Sequence, residues 1–123
     1  MANEITLQFS GSLQNGAARD RFDIGGQLLI DQAAAGADGG IVAVGTSETT
    51  VSFSRLTTPG VCFLLNLDGT NFVEYGPDSG GTIAILGKLK PGEFAFVRLA
   101  AGVTLKAIAD TAACNVLAKC WND

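Results

Sequence analysis

The carboxylates are the first candidates for acid–base chemistry in this chain, because the sequence contains no histidine. That absence removes imidazole general bases, Ser-His-Asp and Cys-His arrangements, and the commonest zinc ligand sets. The acids sit mostly at turn-like positions such as Asp68, Asp78, Glu93 and Asp110, where Asp bonds to local backbone. Paired carboxylates hydrolyse glycosides when a cleft holds a sugar between them, but a small β domain without a long cleft offers no such seat. The segment Asn66-Leu67-Asp68-Gly69-Thr70-Asn71 has the alternating oxygen donors of a calcium loop. It lacks the closing bidentate Glu of an EF-hand, and its flanks read as strands, so it is expected to be a turn. Gly39-Gly40 and Gly80-Gly81 precede no helix and therefore make no phosphate cradle. No catalytic residue, cofactor or metal site is expected.

The thiols are Cys62, Cys114 and Cys120, an odd number. On one strand, Cys114 and Cys120 would stand roughly 20 Å apart at about 3.3 Å per residue, too far for a disulfide. One of them can reach Cys62, but the expected state is three reduced thiols packed as small apolar side chains. Among aromatics, Trp121 is the one candidate for stacking on a sugar. Phe22, Phe53, Phe63, Phe94 and Phe96 fall on apolar strand faces and are expected in the core.

The elements that must position these residues follow a rhythm of two. Ile5, Leu7 and Phe9 alternate with polar neighbours, as do Val51 and Phe53, the pattern of half-wet antiparallel strands. Residues 21–30 read as a strand with a bulge at Gly25-Gly26. Residues 33–40 read as a small-residue loop with at most one helical turn, and residues 41–44 as a short strand. Asp68-Gly69 predicts a type I′ hairpin turn between strands at 61–67 and 72–75. Further strands are predicted at 82–89, 94–99, 104–109 and 114–121, with Lys90-Pro91-Gly92-Glu93 as a tight turn. About nine short strands with turns every 8–12 residues predict one all-β domain over residues 1–123, an antiparallel β-sandwich of jelly-roll or immunoglobulin-like type with little helix.

Composition sharpens this. The 123 residues are 47% hydrophobic and only 16% charged, with a formal charge of −4. The acidic balance argues against nucleic-acid binding. Mean hydropathy is +0.31, yet no apolar run approaches the ~20 residues of a membrane span, and the first residues do not resemble a signal peptide. The surplus apolarity lies in residues 61–67 and 94–99, which are apolar on both faces, with Arg98 as their single charge. A sheet face of that kind is covered either by a loop, such as residues 33–40, or by identical chains; the oligomer is the expected answer.

Ordered phrases then carry a resemblance. They are Thr58-Pro59-Gly60, the run from Asn66 to Gly76 (NLDGTNFVEYG), Gly87-Lys88-Leu89-Lys90-Pro91-Gly92-Glu93, Arg98-Leu99-Ala100, residues 107–113 (AIADTAA) and the ending Trp121-Asn122-Asp123. From residue 58 onward the chain resembles a family of small tailed-bacteriophage virion structural proteins. The resemblance implies a virion component made in the bacterial cytoplasm. A capsid decoration (cement) protein, an oligomer with the trimer favoured, bound to the major capsid protein or another virion protein, suits the composition. A tail, neck or head-fibre component and a carbohydrate-binding module are the alternatives. Asp68, Asn71, Tyr75, Arg98 and Trp121 are the expected contact residues.

Overall fold

A computed structural model describes residues 4–123; Met1, Ala2 and Asn3, where the signal-peptide reading begins, lie outside the described residues. Among the described residues all regular structure is β, and every strand pairing is antiparallel. The chain divides into two compact units, residues 1–34 and 35–123.

The first unit holds two strand pairs. β1 (Ile5–Leu7) pairs with β4 (Leu28–Ile30), and β2 (Ser10–Asn15) pairs with β3 (Ala18–Asp23). The β2–β3 hairpin turns at Gly16, whose φ of 57° is the left-handed conformation that an Asn-Gly turn demands. Gly25 and Gly26 do not form a bulge within one strand. Both have positive φ, and their N–H groups donate to Asp23 Oδ1 in the turn that follows β3. Ile5 is the one buried side chain among residues 4–34, while Leu13, Phe22, Leu28 and Leu29 are exposed.

The second unit carries the core. Its strands are β5 (Ala37–Val44), β6 (Thr49–Val51), β7 (Pro59–Asn66), β8 (Val73–Ser79), β9 (Thr82–Ile83), β10 (Gly87–Leu89), β11 (Phe94–Arg98), β12 (Leu105–Ala109) and β13 (Cys114–Asn122). One sheet has the order β11-β7-β13-β5; the other has β10-β8-β12-β6, with β9 also on β8. Alternate residues of both sheets meet in one apolar cluster that includes Val44, Val51, Cys62, Leu64, Val73, Leu105, Cys114 and Val116.

The pairings are nested. β5 pairs with β13, β6 with β12, β7 with β11 and β8 with β10. Apart from β8, β9 and β10, which share one sheet, strands that follow one another along this unit lie in different sheets. Asp68-Gly69 is therefore not a hairpin turn: it is the corner where the chain leaves β7 for β8 in the other sheet. Lys90-Pro91-Gly92-Glu93 makes the reverse crossing, closed by Glu93 N–H donating to Lys90 O, with Gly92 at φ 79°. Residues 37–40 are strand rather than loop, so the segment expected to shield β7 instead extends the same sheet at its edge. The expected strand at 82–89 is two, β9 and β10. The described residues thus hold 13 strands where about nine were expected.

Candidate interaction face

The two sheets differ in what they turn outward. On the β10-β8-β12-β6 sheet, Lys88 stands opposite Glu74, which stands opposite Ile108, while Lys106 stands opposite Thr50. Lys88 Nζ also lies 4.3 Å from the centre of the Phe72 ring. Lys106 Nζ lies 3.0 Å from Asp78 Oδ1 and 3.4 Å from Glu48 Oε2, and donates to Gly81 O at 3.3 Å. The hydrogen bond to Asp78, joined by the nearby Glu48, holds the Lys106 ammonium above its ordinary pKa. This face is built for water: opposite charges sit across strands, where they attract.

The outer face of β11-β7-β13-β5 instead carries an apolar row. Register places Phe94 opposite Leu65, Leu65 opposite Leu117 and Leu117 opposite Ile41, one row across all four strands. The next row reads Phe96, Phe63, Lys119 and Gly39. Ile41 is 66% exposed and Phe94 51%; Leu65, Leu117, Phe63 and Phe96 are half-buried. The Phe63 and Phe94 rings pack at 5.7 Å between centres. Phe94 and Phe22 are exposed and Phe63 and Phe96 lie on this outer face, so of the five phenylalanines expected in the core only Phe53 is buried there. A strand apolar on both faces does not reveal which face is inward; the in-facing partners of Phe63 and Phe96 are Cys62, Leu64, Ala95 and Val97.

The five expected contact residues do not gather in one place. Asp68 and Asn71 share the β7–β8 corner, where Asp68 Oδ2 accepts from Asn71 N–H at 2.6 Å and from Thr70 N–H at 2.9 Å. These two bonds, Asn71 first, hold the Asp68 carboxyl below its ordinary 3.8. Asn71 Oδ1 accepts from Thr111 Oγ1 at 2.8 Å. Tyr75, on β8, packs against the core, and its ring lies beside Gly87, where a Cβ would come within 2.7 Å of the phenol oxygen. Arg98 is exposed and ion-paired with Asp123 rather than buried. Trp121 is half-buried on the outer side of β13, beside a shallow pocket of about 200 Å³ shared with Asp38, Arg55 and Lys119.

Asn66, a residue not singled out for contact or packing, proves central. It is fully buried; its Nδ2 donates to Asn71 O and Leu89 O, each at 3.0 Å, and its Oδ1 accepts from Asp68 N–H at 2.9 Å. The signal was available: an Asn ending an apolar strand before Asp-Gly is positioned to satisfy corner backbone. Among the described residues no group of three or more His, Cys, Asp or Glu side chains is placed to hold a metal ion. No helix among them is long and apolar enough to cross a membrane. Compared with known proteins, the chain matches no family model, no curated protein and no solved structure.

Proposed function

We propose that this protein is a non-enzymatic structural component of a tailed-phage virion, a capsid decoration protein that self-associates and stabilises the head shell. The observation that carries the assembly is the row Phe94, Leu65, Leu117 and Ile41 across the outer face of one sheet, set against the charged outer face of the other. Contiguous apolar patches beyond a few hundred Å² are uncommon on monomers, and a row of this kind is the surface that copies of one chain can bury. Burying it between copies gains about 25 cal/mol per Å². The virion assignment rests on the ordered phrases after residue 58 and is supported by the strand order. With the two-residue β9 set aside, eight strands that pair first with last and inward from there, in a four-stranded sheet and the four-strand path of a five-stranded one, favour a jelly-roll sandwich over an immunoglobulin-like one. Jelly rolls recur in viral capsid proteins and in lectins.

The lectin association keeps the carbohydrate-binding reading in view, favoured by one feature: Trp121 stands beside Asp38, Arg55 and Lys119, an aromatic with polar groups around it. One set of measurements separates the two. Sedimentation at micromolar concentration should give an oligomer, the trimer favoured, and the protein should bind capsids that lack it. A monomer that ignores such capsids overturns the cement assignment. Glycan binding abolished by Trp121→Ala installs the sugar module in its place.

A further inference from the structure

Cys62 and Cys120, far apart in sequence, stand directly opposite each other on β7 and β13. Both side chains turn into the core, 0% and 1% exposed. The hydrogen-bonding phase of the ladder can be followed from one bond. Leu67 N–H donates to Asn115 O at 2.9 Å, which makes Leu67 and Asn115 a hydrogen-bonded pair. Paired positions in an antiparallel ladder alternate between hydrogen-bonded and non-hydrogen-bonded. Counting along the register, Asn66/Val116, Leu64/Ala118 and Cys62/Cys120 are the non-hydrogen-bonded pairs.

The other neighbour of β7 gives an independent check. Leu99 N–H donates to Gly60 O, so on the β11 side Cys62 and Val97 form a hydrogen-bonded pair. The main-chain groups of Cys62 therefore point toward β11, leaving its side toward Cys120 without ladder bonds. Non-hydrogen-bonded pairs bring Cα atoms to about 4.5 Å, with their side chains closer than in the alternate pairs. That spacing falls within the roughly 4.4–6.8 Å a disulfide spans. Both thiols are free. Cys114, six positions along the same face of β13, is outside this pair.

We propose that Cys62 and Cys120 are a redox-active pair that closes to a cross-strand disulfide, stapling the last strand to the centre of its sheet. The oxidant is a small-molecule disulfide of the glutathione class. One cysteine, as thiolate, attacks a sulfur of that disulfide, forms a mixed disulfide and expels one glutathione thiolate. The second then attacks the protein sulfur of the mixed disulfide, forms the S–S bond and expels the other. Two electrons pass from the pair to the oxidant, and the two protons lost by the cysteines end on the two glutathione thiols.

Burial sets when this happens. Desolvation pushes the Cys62 thiol up to about 12, with Cys120 adding to the shift, and burial also raises Cys120. Because the thiolate is the attacking species, the folded pair oxidises slowly, and burial of both sulfurs keeps an external thiolate from reducing the bond. The bond is made while the chain folds or opens and is then retained. The loop it closes, residues 63–119, contains five strands, β8 through β12. Closing a loop of that size restricts the unfolded chain, and the expected rise in Tm is roughly 10 °C.

The test refolds the full chain from urea in a buffer of reduced and oxidised glutathione, quenches with acid, alkylates, and maps the cysteines by mass spectrometry. The expected product has lost two hydrogens, links the Cys62 and Cys120 peptides, carries alkylated Cys114 and melts at higher temperature than the reduced chain. Cys114→Ser should form the same link. The proposal fails if Cys62 and Cys120 are recovered alkylated or glutathionylated, if the link involves Cys114, or if the linked form melts no higher. Because the readout is on the unmutated chain, it does not depend on a cysteine variant folding.

Discussion

The side-chain amide of Asn66 donates to the main-chain carbonyl of Leu89 at 3.0 Å, tying the corner that leaves β7 to the end of β10. The backbone of the same residue continues the tie. Its N–H donates to Glu93 O, and its carbonyl accepts from Gly92 N–H, both at 3.0 Å. Asn66 thus joins two places where the chain crosses between sheets, and it leaves none of its own polar atoms unpaired at full burial. A corner that crosses between sheets has no ladder to satisfy its backbone, so a buried side chain must do it.

Asn66→Leu keeps the approximate volume and removes three hydrogen bonds, stranding the Leu89 carbonyl and the Asp68 N–H and leaving the Asn71 carbonyl only the weak Cys114 thiol at 3.9 Å. The expected cost is about 3 kcal/mol, since stranded buried groups lose their full solvation without compensation. Urea denaturation should show a lower midpoint with an unchanged slope. A midpoint within error of the parent would mean that water replaces the amide and that Asn66 is not the tie between the crossings.

Asp68 gives an acid-side signature. Its carboxyl is held below the ordinary 3.8 by the N–H groups of Asn71 and Thr70. A depressed folded-state pKa means that the stabilisation is fully present above the ordinary value and is lost as pH falls through the folded one. Asp68→Ala should therefore melt below the parent at neutral pH. The gap should close as the pH drops beneath the carboxylate range. A gap independent of pH would assign the loss to packing rather than to the charged cap.

Local chemistry was legible in the sequence, and long-range pairing was not. Asp68-Gly69 and Pro91-Gly92 were recognisable as places where the chain turns, because turn preference belongs to the residues themselves. Which strand each turn delivers the chain to depends on pairing across the whole unit, and both corners proved to cross between sheets. The period-two pattern located β7 and β11, yet it assigned Phe63, Phe94 and Phe96 to the core because a two-faced apolar strand has no inward signature. The β2–β3 hairpin went unread since its strands, SGSLQN and ARDRFD, are largely polar; Asn15-Gly16 was its one local marker. The separation of Cys114 from Cys120 was derivable, whereas the pairing of Cys62 with Cys120 needed the register.

The second unit should stand alone. Every residue of the principal buried cluster lies between Val44 and Cys120, and residues 4–34 bury only Ile5. A chain of residues 35–123 is expected to unfold cooperatively, with Tm within about 5 °C of the full protein, because the term that dominates stability is buried apolar area. Differential scanning calorimetry decides the matter. Loss of the cooperative transition would show that the first unit supplies part of the folding free energy.

The outer face of the β11-β7-β13-β5 sheet yields the sharpest test of assembly, because its row ends in two side chains that the isolated chain leaves exposed. Phe94 lies on one edge strand and Ile41 on the other. Phe94→Glu and Ile41→Lys therefore place a charge at each end of the row without opening a cavity, and the Tm of the dissociated chain should hold within about 3 °C. Where the row is buried between copies, each charge must be desolvated against apolar neighbours. Losing roughly 2 kcal/mol of association free energy weakens self-association about 30-fold. Lys88→Ala, on the outer face of the other sheet, should leave association unchanged. Analytical ultracentrifugation over a concentration series reads all three. Dissociation by Lys88→Ala, with Phe94→Glu and Ile41→Lys still assembled, would move the interface to the charged sheet and leave the apolar row without its assigned role.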